Sequence, residues 1–169
     1  MFRDLLEFLQ VLKKKWFVTF INDHTRLTWV YLMKEKSKVE TIFKIFYTMV
    51  QTQFHEKIQI FKSDNGKEYF NKILGSFFLE IGIVHQSSCN DTPQQNGLAE
   101  RKNKHLLEIA RALLFTTKVP KYLWDGVILT TIYLINRMSG KVLNFETPLN
   151  IFHKFYPLNT FYNRFCSHS

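Results

Sequence analysis

The strongest pattern near the start of the chain is a pair of short runs dense in β-branched and aromatic residues. "WFVTFIND" (16–23) and "RLTWVYLMK" (26–34) are joined by "DHTR". Two such runs around a polar connection predict a β-hairpin. The period then lengthens, and Val39, Ile42, Phe43, Phe46 and Val50 recur on one helical face. Ser37 precedes that face with Glu40 three positions on, the spacing of a capping box, which predicts a helix capped by Ser37.

Further along, "IQIFKS" (58–63) predicts a short strand that delivers Asp64 at its C-terminal end. "KILGSFFLEIG" predicts a helix closed by Gly82, and "IVHQSS" another strand. Pro93 and Gly97 break the chain before a long helix from about Leu98 to Thr116, whose core face is Leu106, Ile109, Ala110, Leu113 and Leu114. Pro120 suits a first helical turn and predicts a helix running to about Arg137, and "ETPLNIFHKF" predicts a last short one. A hairpin followed by alternating helices and strands implies an α/β fold, a mixed sheet with helices packed against it. Acids at strand ends of such sheets face a crevice where ligands collect.

Composition adds a partner to this outline. The 169 residues are most simply one domain, and 46% hydrophobic with 22% charged residues excludes a disordered chain. Lys and Arg outnumber acids to give +9 and a pI near 9.6, which favours polyanions. Nucleic acid is the first such partner and an anionic membrane surface the second; the excess lysine also serves solubility. Cys89 and Cys166 have no metal or disulfide spacing, which fits a reducing compartment. The longest apolar stretch, "GVILTTIYLI", is far below the ~20 residues that span a bilayer. "MFRDLLEFLQVLKKKW" carries its charges on the wrong side for a signal peptide, so the expectation is a soluble intracellular chain with no membrane partner.

The candidate chemistry lies in two acids. "SDNGKEYF" (63–70) reads either as a plain turn after a strand or as an acid held at a strand end for catalysis. Glu100, early in the long helix and off its core stripe, reads either as an acid favoured by the helix dipole or as a second ligand. Lys104, four residues on, allows an ordinary salt bridge to it. Asp64 and Glu100 are separated by 35 residues, enough for a helix, a strand and a loop to bring them together. Converging carboxylates repel unless a divalent cation neutralises them, and Mg²⁺ suits oxygen ligands and phosphate. Two such ions can hold both the attacking and the leaving oxygen of a phosphoryl displacement.

Residues 16–157 resemble the integrase catalytic core of copia-type retrotransposons, a branch of the retroviral integrase superfamily. The resemblance is carried, in order, by "WFVTFINDHTR", "SDNGKEYF", "TPQQNGLAERKN", "YLWDGVILTTIYLINRM" and "TPLNIF". It implies a ribonuclease H-like fold, a mixed five-stranded sheet flanked by helices, with the first strand shortened or degenerate. Residues 1–157 would form the core, with the strand before Trp16 the least typical part and 158–169 an unassigned tail. It further implies a DDE-type polynucleotidyl transferase using Mg²⁺ or Mn²⁺, which trims the element's DNA ends and joins them to target DNA. Such a protein works as a homo-oligomer and, when active, in the nucleus.

On that resemblance the catalytic and metal-holding acids are Asp64, Glu100 and Asp4. Asp4 stands where a drifted first strand would place the first acid, although Leu5, Phe8, Leu9 and Leu12 also fit a helix that would carry it elsewhere. Asp23 belongs to the hairpin turn with Thr25 and Arg26. Arg101, Lys104, Lys67, Gln95 and Asn96 are the candidate DNA contacts, and His85 and His105 read as structural. The alternative is a truncated, catalytically inactive relic that keeps the fold and nucleic-acid binding, since the zinc module and C-terminal DNA-binding module of relatives have no counterpart here.

Overall fold

The computed structural model describes residues 14–63, 66, 69, 72–87 and 97–157. The predicted hairpin forms from β1 (Trp16–Ile21) and β2 (Thr28–Met33), antiparallel with Trp16 opposite Met33 and Ile21 opposite Thr28. α1 (Val39–Phe54) follows, then β3 (Ile60–Ser63), α2 (Lys72–Ile81) and β4 (Val84–Ser87). The C-terminal half is helical: α3 (Gly97–Thr117), α4 (Trp124–Ile135) and α5 (Pro148–Phe155). β3 and β4 pair in parallel, with Ile60 opposite Val84 and Ser63 opposite Ser87. The described residues thus hold four strands in two two-stranded sheets. The fifth strand expected before Trp16 lies outside them.

Strand alternation gives the hairpin two faces, and both are buried. Val18, Phe20 and Met33 join Val39, Phe43, Phe46 and Tyr47 of α1, Leu74 and Phe78 of α2, and Ile83 in one core. Phe17, Val30 and Leu32 point the other way, onto a second core of Leu106 and Ala110 from α3 with Val127, Ile128, Ile132 and Ile135 from α4. The hairpin is therefore the middle layer between two helical layers. Aromatic rings fill the first core: Phe20 stacks on Phe46 at 4.3 Å between centroids and meets Phe43 edge-on at 5.9 Å. Phe43, with no exposure, also meets Phe61 and Phe78, carrying the core across to β3 and α2.

Helix ends differ from expectation at two places. Ser37 does not cap α1; it sits in a 3₁₀ turn (Lys36–Lys38), its hydroxyl bonds Glu35 Oε2 at 3.1 Å, and the helix begins at Val39. Glu40 is drawn instead to Lys44, one turn on, at 2.9 Å. Pro120 is extended (ψ 140°) and precedes a 3₁₀ turn (Lys121–Leu123), so the α-helix starts at Trp124 and ends at Ile135. Elsewhere the signals hold. Gly82 takes a positive φ of 76° after α2, and the Ile83 N–H returns to the Phe78 carbonyl at 2.8 Å, closing the helix as a Schellman turn does. Thr147 caps α5 by accepting from the Asn150 N–H at 3.1 Å, with Pro148 in the first turn.

Asn136, just past α4, fastens that helix to the hairpin. Its Oδ1 accepts from the Thr28 N–H at 3.0 Å and its Nδ2 donates to the Thr28 carbonyl at 2.8 Å, so one amide does for the outer edge of β2 what a neighbouring strand would do. Asn136→Ala leaves both backbone groups of a buried residue without that partner. The expected loss is about 1–3 kcal/mol of stability, read as a lower denaturant midpoint with an unchanged m-value.

Candidate active site

A cavity of about 740 Å³ runs along β1 and β3. Consecutive residues line it, Trp16–Asp23 on one side and Glu56–Ser63 on the other, so it follows strand edges and not a single face. Leu98, Ala99 and Asn103 of α3 close one part of it, and Tyr69 and Phe152 also contribute to the wall. α3 is held there by its second core and by a polar contact, the Thr19 hydroxyl donating to Asn103 Oδ1 at 2.8 Å across 84 positions of sequence.

Ser63 and Ala99, the residues immediately before Asp64 and Glu100 in the chain, both line this cavity. Glu100 is exposed in the first turn of α3, where the helix N-terminus favours its charge. No ion pair joins it to Lys104 among the described residues, so the expected salt bridge along the helix is not made. Lys104 is exposed as well. Arg101 turns back on its own helix, its Nε donating to the Gly97 carbonyl at 2.7 Å. Asp64, Asp4, Lys67, Gln95 and Asn96 lie outside the described residues. Among the described residues no three acids, histidines or cysteines gather closely enough to hold a metal ion.

The hairpin turn shows a division of labour between two neighbours. Asp23 pairs with Arg26 at 2.7 Å as expected, and also with Lys62 of β3 at 3.3 Å, linking the two sheets at the surface. The turn itself is organised by Asn22, whose Oδ1 accepts from the N–H of His24 and Thr25 and from the Thr25 hydroxyl at 2.9–3.2 Å. Asn before a reversal is a recognisable signal for this role. Lys102, half-buried on α3, has its ammonium pulled below the usual lysine range by burial and then by the nearby positive charge of Arg26.

His85 on β4 is the site-adjacent residue whose role sequence reading left as merely structural. Its Nε2 is 2.8 Å from Ser63 Oγ, and its ring lies 5.6 Å from Phe61 and 5.2 Å from Phe78 between centroids. Burial pushes its pKa below the ordinary imidazole value.

The α/β layering is that of retroviral integrase cores. The chain superposes on an integrase in the cryoEM structure of the simian T-cell lymphotropic virus intasome in complex with PP2A regulatory subunit B56 gamma. That match has a TM-score of 0.65 and 16% identity and covers 81% of this chain and 48% of the other. The HTLV-2 integrase catalytic core domain in complex with magnesium, a trimeric form, matches at a TM-score of 0.58 and 19% identity, covering 79% of this chain and 81% of that one. The BIV integrase core matches at 0.61 and 15%, covering 85% and 88%.

Residues 3–93 match the integrase core domain family, and the chain belongs to that family. It is 40% identical over 134 residues to the retrovirus-related Pol polyprotein from transposon TNT 1-94 of Nicotiana tabacum, a span that is 79% of this chain and 10% of that protein. The Pol polyprotein from transposon RE1 of Arabidopsis thaliana is 37% identical over the same length, 9% of its own. The chain thus spans about a tenth of the length of these curated relatives.

The state of His85 gives a pH dependence with a definite sign. Because its folded-state pKa is depressed, the unfolded chain binds more protons as the pH falls below the ordinary value of 6.5, and stability is lost in that window. The melting temperature should therefore fall as the buffer is taken from above to below about pH 6.5. His85→Gln should flatten part of that fall, measured by thermal melts across the range.

Proposed function

We propose that this chain is the catalytic core of a retrotransposon integrase, a DDE-type polynucleotidyl transferase. It would trim the element's DNA ends and join their 3′ hydroxyls to target DNA by metal-assisted phosphoryl transfer. The observation that carries the reading is the shared cavity: the residues next to Asp64 and Glu100, from a strand end and a helix start far apart in sequence, line one wall system along β1. The family membership and the superposition on retroviral cores support the same reaction class.

Asp64, Glu100 and Asp4 would hold Mg²⁺ or Mn²⁺. Carboxylate oxygens are the donors such hard cations take, and Glu100 is exposed and engaged by no other described side chain. When bound, the ions neutralise charge that builds on the attacking and leaving oxygens of the phosphodiester. The chain's own contribution is to position: β3 ends at Ser63, one residue before Asp64, and the Thr19–Asn103 bond keeps the start of α3 beside β1. Lys104, Arg101, Lys67, Gln95 and Asn96 would contact DNA phosphates and bases, with Arg101 and Lys104 following Glu100 on the helix. The partners on this reading are the element's ends, target DNA and further copies of the chain, and the reaction takes place in the nucleus.

Two variants test this directly. With Mn²⁺ and a branched DNA that reports reversal of strand joining, the purified chain should be active, and Asp64→Asn and Glu100→Gln should each lose roughly two orders of magnitude or more. Mn²⁺ should raise the melting temperature of the parent chain by mass action and that of the variants less. Equal activity in parent and variants overturns the reading. Salt-sensitive DNA binding with no metal response and no turnover would return the inactive alternative.

A further inference from the structure

Lys102 occupies an unfavourable place for a cation. Its side chain is half-buried on α3, and the positive charge of Arg26, from the hairpin turn, acts on the same ammonium. The Thr19–Asn103 bond, one residue along the helix, fixes this part of α3 beside β1 and so maintains the approach. The carboxylate of the turn is already engaged at both oxygens: Oδ1 of Asp23 meets Arg26 at 2.7 Å and Oδ2 meets Lys62 at 3.3 Å. Lys102 is drawn into no ion pair or hydrogen bond among the described residues. Its charge is left without an answer.

Arg26 is itself held in a disfavoured conformation. Its φ of 61° lies in the left-handed region, where glycine or asparagine is the usual choice. The bond from its N–H to the Asn22 carbonyl at 2.9 Å and the contact with Asp23 keep it there. Asp23 engages Nη1 alone, so the rest of the guanidinium fork has no partner among the described residues. A strained residue beside a half-buried like charge opposes folding, and such features collect where a ligand relieves them. Two residues along a helix turn a side chain by about 200°, so Lys102 faces away from Glu100 and Lys104. Whatever anion it meets is not the one those residues face.

We propose that Arg26 and Lys102 together bind one backbone phosphate of nucleic acid, on the opposite side of α3 from Glu100. The phosphate supplies the counter-charge that the pair lacks, taken by Arg26 through its open fork and by Lys102 as a point charge. A backbone contact adds affinity and fixes orientation without reading sequence. The inference rests on the reading of nucleic acid as the partner, which membership of the integrase core family supports over a membrane surface. It makes no use of the metal site.

Binding of the whole chain to a duplex of arbitrary sequence, in EDTA and over a range of salt, tests this beside thermal melts of the free protein. Lys102→Met keeps the stem and removes the charge. It should bind the duplex about tenfold more weakly at low salt and make the dependence of log affinity on log salt shallower by about one. The same variant should melt higher than the parent, because burial and repulsion no longer act on a charge. Weaker binding with greater stability is a combination that a packing role does not produce. Lys102→Arg should keep both the affinity and the slope. Arg26→Gln should also weaken binding, and the double variant should be little worse than either, since one phosphate is shared. Lys141→Met, which removes an exposed charge from the 3₁₀ turn Lys141–Leu143, controls for net charge and should leave the slope as it was. Affinity and slope unchanged in folded Lys102→Met, or a loss equalled by Lys141→Met, overturns the proposal. So does a loss confined to vesicles containing phosphatidylserine, which makes the partner a membrane surface. A parent chain that binds no duplex removes the nucleic-acid reading and the proposal with it. If the parent binds, and Glu100→Gln abolishes strand joining while Lys102→Met binds normally, only the phosphate site falls.

Discussion

Burial of the β1–β2 hairpin on both faces is the constraint on which the rest of the molecule depends. A hairpin by itself is barely stable in water, and this one is kept by the two helical layers it separates. Side chains alternate between the layers, so a slip of one residue in pairing would exchange Phe20 and Val18 for Phe17 and Thr19 in the aromatic core. Thr19 is the polar member of that alternation, and its hydroxyl is met by Asn103 of α3. The wrong register would bury it among rings. Register, helix placement and the location of the cavity are thus one decision made together.

The position of the site follows from that packing. α3 lies where Leu106 and Ala110 can pack with α4 beneath the hairpin, and Asn103, one turn earlier, meets β1. The first turn of the helix, with Glu100, is carried to the edge of the cavity as a consequence. On the other side, the aromatic chain through Phe43, Phe61 and Phe78 holds β3 against α1 and α2, which fixes Ser63 at the opposite wall. Two cores that share no residues place the two ends of one cleft.

Charge reaches the cavity as well as the outer surface, since Lys36, Lys57 and Lys62 are among its lining residues. The +9 balance is spread over exposed lysines and arginines, among them Lys104 on α3, while Asp23 engages Arg26 and Lys62 at the hairpin. No helix among the described residues is long and apolar enough to cross a membrane.

Much of this was legible in the residues themselves. The hairpin, the helices and the strands at "IQIFKS" and "IVHQSS" could be read because each is written as a local period, and the glycine after α2 is a local signal of the same kind. The motifs around Asp64 and Glu100 were legible for a different reason, since a spacing and its flanking residues survive in the chain's order. Local signals failed where a competing neighbour decided the outcome: Ser37 found Glu35 and Glu40 found Lys44, and no capping box formed. Asn22 organises the turn that Asp23 was expected to support with Thr25 and Arg26, while the Asp23–Arg26 pair forms beside it. The bonds from Asn136 to Thr28, Asn103 to Thr19 and His85 to Ser63 have no local trace, because each joins residues between 22 and 108 positions apart. Periodicity determined which elements exist, and motif order the family the chain belongs to; only packing decided which polar side chains meet, because a hydrogen bond across layers depends on a register that neither segment encodes on its own.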